Sequence, residues 1–315
     1  MAMDALEASM YFLEKAPKYE TEKPYSLRFP PGENLAQSNI LREEHLVRVD
    51  SMRGKDDLAL ETSGFEVMPF TSPLSYRDFD DVDKITGVLL PAFCEKLKEH
   101  LGAKEVVALD HAVRRRHENF PISIGKNYEY NQPTMMVHVG KSIITANCTS
   151  LGTESALDFS VDEGERMLRV MYPDQGEEII KGGWKVVNIW RPLRGPLNDW
   201  PLAICDSRTV NHETDTMPGD IVFTKWATEN LQVHHSDKQK WYYLPDQTAD
   251  EVLIFKSAES SPDKCQAVPH GSFYNPHVSE EEPARESIDC RFFVLYAPLE
   301  QYPSVQGNVF NQRDH

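Results

Sequence analysis

The sequence predicts an α+β chain that is mainly β, with a jelly-roll core and flanking helices. Three observations predict it. The C-terminal half is a series of short β-rich runs broken by Pro, Asp, Gly or Asn: "WKVVNIWRPL", "PLAICDSRTV", "DIVFTKWA", "WYYLP", "EVLIFKSAES" and "SIDCRFFVLYAP". No long helical pattern separates them, so they pair antiparallel, as in a sandwich or barrel. The composition, 40% hydrophobic and 26% charged over 315 residues, is globular and suffices for a large core.

Residues 1–80 read as an irregular extension rich in Pro, Asp and Glu. Within it "DALEASMYFLEKA" reads as a short helix, and "KPYSLRFPPGENL" as extended chain with a Pro-Gly turn. From Asp81, Ile85, Val88, Leu89, Phe93, Leu97 and Leu101 recur at helical spacing, and Gly102 stands where a C-cap would. "KEVVALDHAVRRR" reads as a strand with Val106, Ala108 and His111 on one side, and it opens a core that runs over 105–300. "PDQGEEIIKGG" reads as a short helix. On "WKVVNIWRPL", Trp184, Val186, Asn188 and Trp190 share one face, and Lys185, Val187, Ile189 and Arg191 the other. No repeat or linker divides the chain, so residues 1–315 are expected to form one domain.

The formal net charge is −17, which repels phosphate backbones and argues against nucleic acid as a partner. The five cysteines form no CxxC pair and their number is odd, which suits a reduced protein better than a disulfide scaffold. The N-terminus has early acids and no apolar h-region, and "ITGVLLPAFC" is too short to span a bilayer. The expectation is a cytoplasmic protein with no membrane partner. Its oligomeric state is not legible.

Chemistry is concentrated near the C-terminus. His270 follows an extended segment, and Arg285-Glu286-Ser287 precedes the strand "IDCRFFVLY". A histidine on one strand and R-x-S on the next suits a mononuclear iron enzyme that uses 2-oxoglutarate. The imidazole is a metal ligand, the arginine offers a two-donor fork to the cosubstrate's distal carboxylate, and the serine hydroxyl adds a further donor. Such an enzyme also needs H-x-D upstream. Alternation along a strand points positions i and i+2 to the same side, so both can grip one face of an ion.

"KGGWKVVNIWRPLRGPLNDWPLAICDSRTV", "KWYYLPDQTADEVLIFKSAES" and "VPHGSFYNP", followed by "EEPARESIDCRFFVLY", resemble the fungal hydroxylase/desaturase family over residues 120–300 or so. That family includes gibberellin desaturase-like and cephem-methoxylase-like proteins of secondary-metabolite clusters. The resemblance implies an Fe(II), 2-oxoglutarate-dependent oxygenase on a double-stranded β-helix, acting as a hydroxylase or desaturase on a small-molecule intermediate. It also makes Asn188 and Arg191 family positions. Asn188 is expected near the cosubstrate, and Arg191 is expected to pair with Asp206.

The resemblance places H-x-D shortly before "MYPDQGEEIIKGGW", and there the sequence departs from it. His138 is followed at position 140 by Gly, and Asp158 is preceded at 156 by Ala. Each side keeps one ligand. Removing residues 140–157 joins "VHV" to "DFSVDEGERML" and restores the pair as His138 and Asp158. The segment reads as a translated intron. Gly-Lys-Ser can be encoded by GGTAAGTC, with the donor GTAAGT; Ala-Asn can be GCTAAC, a branch-point form; and Leu157 with the first base of codon 158 can supply an acceptor TAG. The expected iron ligands are thus His138, Asp158 and His270. Three alternatives remain open at the level of sequence. A genuine H-x-Gly site could take chloride, as in iron halogenases. A real insertion could loop Asp158 back to the metal. A metal-free relative could act as a non-redox enzyme or partner subunit.

A second H-x-D, His235-Ser236-Asp237, lies in a charged segment expected to be a loop. Trp241, Tyr242 and Tyr243 are expected in the core or pocket wall, and Cys205 and Cys290 are expected as buried bystanders.

Overall fold

The computed structural model describes residues 5–33, 35–122, 128–140, 161–224, 227–279 and 281–302. Its strands are β1 (Ala5–Leu13), β2 (Tyr25–Leu27), β3 (Arg42–Ser51), β4 (Phe65–Pro69), β5 (Glu105–Arg115), β6 (His138–Val139), β7 (Trp184–Pro192), β8 (Leu202–Cys205), β9 (Thr216–Val222), β10 (Ala227–Val233), β11 (Trp241–Tyr243), β12 (Glu251–Glu259), β13 (His270–Ser272) and β14 (Glu286–Leu295). Its helices are α1 (Val82–Lys84), α2 (Leu90–Leu101), α3 (Val161–Met171), α4 (Gly176–Lys181) and α5 (His212–Asp215). Among the described residues one sheet runs β1-β3-β11-β8-β13-β6-β10-β9-β2 and a second runs β4-β12-β7-β14-β5. These two facing, curled sheets are the expected jelly roll.

The second sheet is apolar on both faces. On β7, Val187 and Ile189 join Phe93, Leu97 and Phe292 under α2, while Trp190 joins Phe255 of β12 and Ile204 of β8 between the sheets. On the first sheet Val137, Val139, Ala203 and Trp241 form a cluster of their own. The residues between them in sequence, His138, Ile204 and Tyr242, therefore turn toward the second sheet.

The helix expected from Asp81 is present and ends at Gly102, whose φ of +62° is the left-handed cap that glycine tolerates. A π-turn over Ile85–Leu89 precedes Pro91, which donates no backbone hydrogen bond. On β5 a bulge opposite Arg291 and Phe292 shifts the alternation by one, so His111 returns to the side of Ala108. The helix α3 was not expected. It presses Gly164 onto Trp184 so closely that a Cβ would lie 2.0 Å from the indole.

Two expectations are corrected. The first 80 residues are not irregular, since they supply β1, β3 and β4. "ALEASMYFL" is a strand, not a helix, paired with β3 from Ala5↔Asp50 to Leu13↔Arg42. Leu6, Ala8, Met10 and Phe12 are buried on one face, and that alternation outweighs the helix-forming tendency of Ala, Leu, Glu and Met. Nor does Arg191 pair with Asp206. Arg191 lies on the α2 side of the second sheet, over the Phe79 ring, and donates to the Pro192 carbonyl. Asp206 follows β8 of the other sheet and takes the guanidinium of Arg208, two residues on.

Candidate metal centre

His138 and His270 are brought together. β13 pairs with β6 at this one position, His270↔His138, and the rings lie 4.5 Å apart, centroid to centroid. They are neighbours on one sheet, not partners across the barrel. Both are buried. His138 Nδ1 lies 2.9 Å from the Met136 carbonyl and His270 Nδ1 3.0 Å from the Val268 carbonyl. A carbonyl only accepts, so each Nδ1 carries the proton, and Nε2 is the atom of each ring that could ligate a metal. Phe255, from the facing sheet, packs on His270 at 4.7 Å.

The third expected ligand, Asp158, and the segment 141–157 lie outside the described residues. Among the described residues no three His, Cys, Asp or Glu side chains gather into a possible metal site. Two of the three expected ligands are therefore assembled, and two imidazoles on one rung are donors that fit iron.

Arg285 and Ser287 also come together. Arg285 Nε donates to Ser287 Oγ at 3.2 Å, and Nη1 donates to Ser272 Oγ and to the Trp200 carbonyl, both at 2.6 Å. The guanidinium is fully buried and stacks over Trp190 at 4.9 Å. Burial, with Arg114 nearby, pulls its pKa down to about 9, which still leaves it cationic at neutral pH. Among the described residues no carboxylate pairs with this guanidinium, since Asp199 meets its backbone N–H instead. A buried cation without a counter-ion is costly, and an incoming carboxylate relieves it.

Ser272 was missed by the sequence reading. It lies two residues beyond His270, so the same alternation that turns His270 inward turns Ser272 inward. The spacing H-x-S was the available signal. Gln232 was also missed. It lies on the rung next to His138, it is buried, and its Oε1 has no partner among the described residues. The Trp190 indole N–H is likewise buried and unpartnered. Asn188 is half-buried on the inner face, with Phe255 on one side and Arg291 on the other.

The second H-x-D does not join this site. His235 stacks on His45 at 3.9 Å and contacts Phe12, and its nearest acid is its own neighbour Asp237. Trp241, Tyr242 and Tyr243 are buried, as expected. Cys205 and Cys290 are buried, and burial pushes both thiols well above their usual range. No described helix is long and apolar enough to cross a membrane.

A family model described as "Oxidoreductase/YMDC permease-like domain" matches residues 10–149 and 153–295. The Fe(II)/2-oxoglutarate-dependent dioxygenase nvfI of Aspergillus novofumigatus is 27% identical over 294 residues, covering 92% of this chain and 96% of the relative. The hydroxylase/desaturase CTB9 of Cercospora beticola is 27% identical over 271 residues, covering 82% and 78%. The solved structure of the iron and alpha-ketoglutarate-dependent endoperoxidase NvfI superposes with a TM-score of 0.74 at 26% identity, covering 93% of this chain and 99% of that one. The family match spans the histidine rung and the arginine, and the superposition covers most of the chain, so the chain belongs to the Oxidoreductase/YMDC permease-like domain family and is an Fe(II)/2-oxoglutarate-dependent oxygenase akin to the fungal hydroxylase/desaturases.

Proposed function

We propose that the chain hydroxylates or desaturates a small natural-product intermediate, with iron held by His138, Asp158 and His270. The distal carboxylate of 2-oxoglutarate is taken by Arg285, with Ser272 and Ser287 orienting the guanidinium. Asn188 faces the same chamber and can donate to the cosubstrate or the substrate. The observation that carries the reading is the histidine rung with an unneutralised arginine bonded to Ser272, two residues from His270. Bound there, Fe(II) with 2-oxoglutarate and dioxygen supplies the oxidising power to remove hydrogen from an unactivated carbon, the keto acid leaving as succinate and carbon dioxide. The chain's own work is positional. The carbonyls of Met136 and Val268 fix the imidazole tautomers, Phe255 and Trp190 wall the chamber against water, and Arg285 anchors the cosubstrate.

The eighteen residues 140–157 are proposed to be absent from the active protein. Their removal restores His138-x-Asp158. The deciding measurement is iron content, with conversion of 2-oxoglutarate to succinate, on the 315-residue chain and on a version lacking residues 140–157. Turnover confined to the shortened form is expected. Equal turnover in the full chain would mean that Asp158 reaches the metal across a real insertion. No iron and no succinate in either form would leave a metal-free protein.

A further inference from the structure

The loop before β8 grips Arg285 from behind. Asp199 Oδ2 accepts the Arg285 backbone N–H at 2.7 Å and the Arg116 Nε–H at 2.6 Å, while the Arg116 backbone N–H donates to the Arg285 carbonyl at 2.9 Å. Both backbone groups of Arg285 are thus held by the Asp199–Arg116 pair. The backbone N–H groups of Asn198 and Asp199 both donate to Glu282 Oε1, which ties this loop to the segment just ahead of Arg285. Trp200 has a φ of +47°, a left-handed backbone that a bulky residue keeps only when its surroundings enforce it. That twist accompanies the turn of the Trp200 carbonyl onto Arg285 Nη1 at 2.6 Å. Asp199 and Trp200 are both buried.

We infer that Asp199 and Trp200 are positioning residues that preset Arg285 for the distal carboxylate of the cosubstrate. The inference rests on the role proposed above for Arg285. Its logic lies in where the charge of Asp199 goes. An aspartate paired with the guanidinium would fill its donors and repel an incoming acid. Asp199 instead spends its charge on a backbone N–H and on Arg116, fixing the arginine without neutralising its working end. The Trp200 carbonyl, a neutral acceptor, aims the guanidinium and leaves it cationic. A donor held in place before binding costs no ordering when the ligand arrives.

The test uses anaerobic titrations with Fe(II) present, on the full chain and in parallel on the chain lacking residues 140–157. The probes are 2-oxoglutarate and pyruvate, which shares the keto acid but has no distal carboxylate. Asp199→Asn should weaken 2-oxoglutarate about tenfold, the loss expected for one charge-assisted hydrogen bond. Pyruvate and Fe(II) binding should stay unchanged, whereas general damage to the fold would lower all three. A second pair of variants isolates the backbone. Trp200→Gly and Trp200→Val both remove the indole, but only glycine keeps the left-handed conformation at no cost. Valine should weaken 2-oxoglutarate several-fold more than glycine does, and this pair decides the matter if Asp199→Asn does not fold. Equal binding by the glycine and valine variants, or unchanged binding by a folded Asp199→Asn, would overturn the inference. Arg285→Ala is the separate arm for the reading beneath it. If that variant keeps the parent's preference for 2-oxoglutarate over pyruvate, or the parent has none, the role of Arg285 fails and the inference falls with it.

Discussion

His138 and His270 share one rung of two antiparallel strands, with their ring centroids 4.5 Å apart. Side chains opposite each other on a rung are near neighbours by the geometry of the sheet, so two imidazoles meet without help from any loop. Each ring is then turned by a backbone carbonyl two residues behind it. His138→Ala or His270→Ala, made in the chain lacking residues 140–157, should reduce iron retained after desalting to background, and succinate formation with it. A variant that kept full iron would move the metal away from this rung.

Ser272 connects the rung to Arg285. Its hydroxyl oxygen accepts from Arg285 Nη1 at 2.6 Å, in a place where water does not compete. Ser272→Ala should raise the KM for 2-oxoglutarate roughly five- to tenfold, about one hydrogen bond's net worth, with iron content unchanged. Steady-state succinate assays at varied 2-oxoglutarate, paired with metal analysis, check both halves of that statement.

How much of this was legible follows from how local each signal is. Strands β7, β12 and β14 were read because their apolar runs are continuous and bounded by turn residues, which needs no knowledge of partners. His270 and Arg285-x-Ser287 were read for the same reason. β1 was misread because its alternation is written in helix-forming residues and only pairing with β3 resolves it. Asp199 and Ser272 went unseen because their function lies in bonds to Arg285. The Asp199 bond spans 86 residues of chain, a separation that no pattern within one segment encodes.

Acid should destabilise the fold through buried histidines. Burial lowers the pKa of His111, His212 and His234 below the ordinary 6.5. The unfolded chain therefore takes up protons first. Stability from these groups is complete above about pH 6.5 and is lost as the pH falls from there toward the lower folded values. The thermal midpoint should drop across that window. His234 Nδ1 lies 2.8 Å from the Leu13 carbonyl. His234→Gln keeps a donor for that carbonyl but cannot titrate, so its midpoint should fall less on acidification than the parent's. Identical pH profiles would clear His234 of the effect.

Lys256 should matter more than any surface ion pair. It is fully buried and donates to Glu259 at 2.9 Å, to Glu61 at 3.0 Å and to the Cys265 carbonyl at 3.2 Å. Glu259 is itself buried and would keep Lys185, at 3.5 Å, as its one cation, beside the Ser261 backbone N–H at 3.3 Å. Lys256→Met should cost about 3 kcal/mol in urea unfolding, because it strands a buried carboxylate. Glu61→Gln, at a half-exposed partner, should cost less than about 1 kcal/mol.

The sharpest prediction concerns the message and not the protein. His138 opens the short strand β6, Asp158 lies outside the described residues, and residues 140–157 separate them in the chain. In H-x-D the His and Asp stand two residues apart on one strand, where alternation points both at the metal. Eighteen residues inserted between them remove that guarantee. Splicing from within codon 140 to within codon 158 keeps the frame and spells aspartate at the junction. Sequencing cDNA from the source organism should therefore give a transcript that reads His138-Val139-Asp158 without the eighteen codons. A mature message that retains "GKSIITANCTSLGTESAL" would make the segment part of the enzyme. Asp158 would then have to reach the rung from outside β6, and the shortened chain should lose, not gain, turnover.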